Sequence, residues 1–60
     1  MALLTYKTVR GTLPLAEQTI RTMVSRGQLP HYKLGSRVFF DREEIEEWIK
    51  SRHIPAEGRR

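Results

Sequence analysis

Between Glu17 and Phe40 the chain reads EQTIRTMVSRGQLPHYKLGSRVFF, and the way this stretch divides decides the fold. At 100° per residue Ile20, Met23 and Val24 fall on one face of a helix, Gln18, Thr22 and Ser25 fall opposite, and Arg21 and Arg26 take the flanks. Gly27 suits the left-handed position just past a helix C-terminus, so the helix is expected to run to Arg26. Beyond Gln28-Leu29-Pro30, His31-Tyr32-Lys33-Leu34 and Arg37-Val38-Phe39-Phe40 alternate apolar and polar residues as two short strands do. Gly35-Ser36 between them fits a two-residue turn with glycine at its first central position. The alternation predicts Tyr32 and Leu34 facing inward with Val38 and Phe40, and Lys33 and Arg37 facing outward near the tip. A hairpin alone is unstable in water, so it must lean on helices.

Working outward, Pro14 fits best in the first turn of that helix, which places its start at Pro14 or Ala16. Upstream, a short first helix is expected from residue 6 to 11 or 13, burying Val9 and Leu13 at i, i+4 spacing. Leu3-Leu4-Thr5 would lead into it, with Thr5 as N-cap. Thr8, Val9, Gly11 and Thr12 are mediocre helix formers, so packing must hold this element. Downstream, Asp41-Arg42-Glu43-Glu44 has the form of a capping box. It opens a third helix carrying Ile45, Trp48 and Ile49 as an apolar stripe, with Lys50 and Arg52 near the end where cations suit the dipole. Residues 1–53 would thus form one domain and residues 54–60, within which Pro55 blocks helix continuation, a disordered basic tail.

Sixty residues allow one marginal core, so each large apolar residue is expected to pack. There is no cysteine, and His31 and His53 have no ligand-like spacing, so neither a metal site nor another cofactor is expected. The acidic run of Glu43, Glu44, Glu46 and Glu47 has no nucleophile or metal ligand beside it; capping and solubility explain it, and no catalytic residue or enzymatic activity is expected. No apolar run approaches the roughly 20 residues of a membrane span and no signal peptide is visible, which makes the cytoplasm the default compartment. The formal net charge is +4. Residues 1–40 hold six of the basic side chains against Glu17 alone, whereas residues 41–52 hold five acidic against three basic. The basic face therefore belongs to the first two thirds of the chain, and a polyanion is the partner it fits.

Helix, helix, two-stranded hairpin, helix is the order of a small α+β winged helix-turn-helix domain. In such a domain the second helix can enter a major groove about 12 Å wide while the hairpin, as a wing, reaches adjacent backbone or minor groove. TYKTV, then TIRTMVSRGQLPHYKLGSRVFF, then EEIEEWI resemble the excisionase family of small DNA-binding domains, whose fold is MerR-like, over residues 4 to 50. The resemblance implies double-stranded DNA as partner and a role as a recombination directionality factor that assists an integrase, with further copies of the chain on neighbouring sites. It also implies a DNA contact from the wing arginine, here Arg37. In that family the second helix usually opens with Ser or Thr where this chain has Ala16.

The candidate DNA-binding residues are Gln18, Arg21, Thr22 and Ser25 on the helix and Lys33, Ser36 and Arg37 at the wing. Arg21 can meet a phosphate or a guanine edge, or simply pair with Glu17 four residues earlier. Arg10 and Arg26 supply field rather than contacts. Trp48 could stack on single-stranded bases, but its spacing from Ile45 and Ile49 makes it core. Two other functions fit the sequence: a small transcriptional regulator, and a protein-interaction adaptor working through the acidic third helix and an exposed Phe39.

Overall fold

A computed structural model describes residues 2–56. In chain order it contains strand β1 (Leu3–Leu4), one 3₁₀ turn (Thr8–Gly11), helix α1 (Glu17–Ser25), strands β2 (Tyr32–Leu34) and β3 (Arg37–Asp41), and helix α2 (Arg42–Ser51). The three strands form one antiparallel sheet in the order β1-β3-β2. The architecture is α+β, a small winged helix-turn-helix.

The expected first helix contracts to the 3₁₀ turn, as its poor helix formers allow. Its N-cap is Lys7 rather than the expected Thr5 and makes no side-chain capping bond; ahead of the turn, the Thr5 hydroxyl accepts from the Thr8 amide at 3.3 Å while the Thr5 amide donates to the Thr8 hydroxyl at 2.8 Å. This reciprocal pair works as a capping box does, with threonine in the role of glutamate. Two backbone bonds that span four residues, Val9 N–H to Thr5 O and Leu13 N–H to Val9 O, both 2.8 Å, bring Val9 and Leu13 into the core. Leu3-Leu4 does not lead into a helix. It pairs with β3, Leu3 opposite Asp41 and Leu4 opposite Phe40, so Leu4 points inward with Phe40 while Leu3 stays 42% exposed.

Helix α1 starts later than the expected Pro14 or Ala16. Ala16 is its N-cap, in extended conformation (φ −63°, ψ 147°) and with no side chain to accept from the first turn, while Pro14 lies in the preceding loop. At the other end, the Gly27 amide bonds Val24 O (3.0 Å) and the Gln28 amide bonds Met23 O (2.8 Å). With Gly27 at φ 68°, this is a Schellman motif. It turns the chain so that Leu29 drops into the core and the Gln28 carbonyl receives the Trp48 indole N–H at 3.0 Å.

The hairpin turns at Gly35-Ser36 with Gly35 at φ 66°, but its faces differ from the expected ones. A two-residue turn puts Leu34 opposite Arg37, Lys33 opposite Val38 and Tyr32 opposite Phe39. Cross-strand partners share a face. Tyr32 and Leu34 therefore stand with Arg37 and Phe39 on the outer face, and Lys33 stands with Val38 and Phe40 on the inner one. Leu34 is 53% exposed, Phe39 only half-buried, and Phe40 fully buried.

Asp41 caps α2 through its carboxylate, which accepts from the Glu44 amide at 3.3 Å. Ile45 is fully buried and Trp48 half-buried against the core, but Ile49 stands at 37% exposure, outside the stripe's packed edge. The core collects Leu4, Val9, Leu13, Ile20, Leu29, Phe40 and Ile45, which include one residue from every element except β2. Of the expected tail, residues 54–56 are exposed and residues 57–60 lie outside the described residues.

Candidate nucleic-acid interface

The interface begins inside the core. Phe40, fully buried on β3, packs edge-to-face with the Tyr6 ring, centroids 5.4 Å apart and planes 75° apart. Tyr6 in turn carries the Arg21 guanidinium of α1 over its ring at 4.2 Å, within cation–π range. Glu17, one turn earlier on the same helix, accepts from Arg21 Nε at 3.0 Å and Nη2 at 2.8 Å through a single carboxylate oxygen. The guanidinium is thus held on one face and along one edge. Its side chain remains 53% exposed.

Arg21 does not stand alone. Thr5, Tyr6, Lys7, Glu17, Arg21, Ser36, Arg37 and Val38 line one open cleft between α1 and the wing turn. Three cations against one carboxylate give this cleft the character of an anion seat. Arg37 also lies over the Phe39 ring at 5.4 Å, which limits its wandering. Of the residues singled out from the sequence, Arg21, Ser36 and Arg37 meet in the cleft. Lys33 is exposed opposite Val38 without lining it.

Gln18 and Ser25 are exposed on the outward side of α1 and Thr22 is half-buried, a surface distinct from the cleft. Thr22 donates its hydroxyl hydrogen to Gln18 O (3.0 Å) and Ser25 donates to Thr22 O (2.9 Å). Held this way, both hydroxyls present lone pairs outward and act as acceptors. They suit an amine donor on a base edge better than a phosphate, which only accepts.

Sequence reasoning overlooked Tyr6 and Lys7 as parts of this cleft. The Glu17–Arg21 spacing signals the ion pair, but Tyr6 carries no such signal, because it meets Arg21 and Phe40 only through tertiary packing. Among the described residues no group of three or more acidic or imidazole side chains is placed to hold a metal ion, and no helix is long and apolar enough to cross a membrane.

No curated protein and no solved structure matches the chain. A family model described as a helix-turn-helix domain matches residues 3–53, which span β1 through the end of α2 and include both the outward side of α1 and the cleft. By that match over most of its length, the chain belongs to the helix-turn-helix domain family, and it is a helix-turn-helix DNA-binding domain.

Proposed function

We propose that the protein binds duplex DNA sequence-specifically, with α1 in the major groove and the hairpin wing on the adjacent backbone or minor groove. The observation that carries this reading is the cleft in which Arg21 of α1 meets Ser36 and Arg37 of the wing, with Lys7 on its rim. A DNA strand between a groove-bound helix and a wing runs where that cleft lies. Gln18, Thr22 and Ser25, on the outward side of α1, read base edges. Arg21, Lys33, Ser36 and Arg37 hold the backbone, Arg21 because its flank position aims it at the wing rather than the groove floor.

The role we assign is that of an excisionase-like directionality factor without enzymatic activity, acting beside an integrase and with further copies of itself on the DNA, in the cytoplasm. Footprinting on DNA flanking the gene tests the first half: discrete protected tracts support specific duplex binding, and uniform protection at all concentrations contradicts it. An excision assay tests the second. Loss of excision in a strain lacking the protein supports the assignment; normal excision would leave a small transcriptional regulator as the reading.

A further inference from the structure

We infer that Glu17 is a restraint on Arg21, one that lowers the sequence-independent affinity of the domain for the DNA backbone. The inference rests on the duplex-binding reading above. In the free protein Glu17 Oε2 takes both the Nε and an Nη2 hydrogen of Arg21, the side edge of the guanidinium that would grip a phosphate through two parallel bonds. The carboxylate therefore occupies the place of a phosphate oxygen. It lines the same cleft as Lys7, Ser36 and Arg37, so a phosphate seated there meets its negative charge directly.

The restraint is removable by design. An i, i+4 ion pair on a helix surface is weak and screened by salt, and here both partners keep a third or more of their side-chain surface in solvent. A phosphate that also meets Lys7 and Arg37 can displace it. The Tyr6 ring lies on a different side of the guanidinium, 4.2 Å from it, and can still support Arg21 over the cleft once Glu17 is displaced. Arg21 thus switches from an internal acceptor to the DNA, and every duplex, whatever its sequence, must overcome the same competing carboxylate.

Fluorescence anisotropy with a short random-sequence duplex, across a salt series, tests the idea with Glu17→Gln, Arg21→Ala and the double variant. Glu17→Gln is expected to tighten binding by about three- to tenfold and to steepen the log–log salt dependence by about 0.9, the equivalent of one more phosphate neutralised. In the Arg21→Ala background the same change should give much less. Glu17→Asp keeps the charge at the start of α1 but withdraws it from Arg21, and should give part of the gain. Circular dichroism verifies that each variant folds. Unchanged or weaker binding by both Glu17 variants would overturn the inference and make Glu17 a support for Arg21. An equal gain without Arg21 would overturn it too, as a simple charge effect. Failure of the parent protein to bind the duplex at low salt would instead remove the duplex reading on which the inference stands.

Discussion

Arg21 shows how a core can aim a surface side chain. Phe40 is fully buried, Tyr6 packs against it edge-to-face, and the guanidinium lies on Tyr6. An arginine so supported loses less side-chain freedom when it meets a phosphate than a free one would. Arg37 has a thinner support, the neighbouring Phe39 ring. Arg21→Ala and Arg37→Ala are each expected to weaken binding to specific and random duplex alike and to flatten the salt dependence by about 0.9, as removal of one phosphate contact does. Thr22 and Ser25 predict the opposite pattern: Ser25→Ala should leave random-duplex affinity unchanged and cost about 1 kcal/mol on the specific site. Anisotropy titrations on both duplexes separate the two classes. The candidate residues on α1 were legible from helical phase, because i, i+3, i+4 spacing fixes which side chains turn away from the core. The support for Arg21 was not legible, since Tyr6 reaches α1 only through tertiary packing.

At the scale of elements, local chemistry was readable where a motif has its own hydrogen bonds. The Asp41 cap, the Gly27 stop and the Gly35-Ser36 turn all stand where their residues place them. The faces of the hairpin were misread because a two-residue turn pairs an even-numbered residue with an odd one, which apolar alternation alone does not reveal. Strand β1 was missed because two residues, Leu3 and Leu4, carry no period; only the free edge of β3 makes them a strand. Helix α1 lacks a side-chain cap, and Ala16 already has the extended backbone an N-cap requires. Ala16→Ser should therefore stabilise the domain by about 0.5–1 kcal/mol, raising Tm by about 2–8 °C in a thermal melt. Gly27→Ala should destabilise it by about 1 kcal/mol or more, because alanine resists a φ of 68°. The wing is tied to α2 where the Tyr32 hydroxyl donates to Glu44 at 3.2 Å. Partial desolvation, then the charge and hydrogen bond of Glu44 and the charge of Asp41, raise the Tyr32 phenol above its ordinary 10.0. Its contribution to stability is complete below pH 10 and is lost as pH rises through the raised value; in a spectrophotometric titration Glu44→Gln should bring that value down.

For the whole molecule, 60 residues and one core imply a total stability of about 3–9 kcal/mol. Phe40 joins β1, β3 and Tyr6, so Phe40→Ala, costing about 3–5 kcal/mol, should leave the domain largely unfolded at 37 °C by circular dichroism. The α+β class was readable from the order of elements, and the separation of charge along the chain pointed to the side on which the cleft lies. Lys7, Arg21 and Arg37 come from three separate segments, and only the folded chain brings them to one cleft. The salt dependence of duplex binding measures that cleft most directly. Affinity for duplex should fall steeply and linearly with salt on log–log axes, and the Arg21→Ala, Arg37→Ala double variant should reduce the slope by about 1.8, two phosphate contacts at about 0.9 each. No duplex binding at low salt, or a slope that the double variant leaves unchanged, would contradict the account.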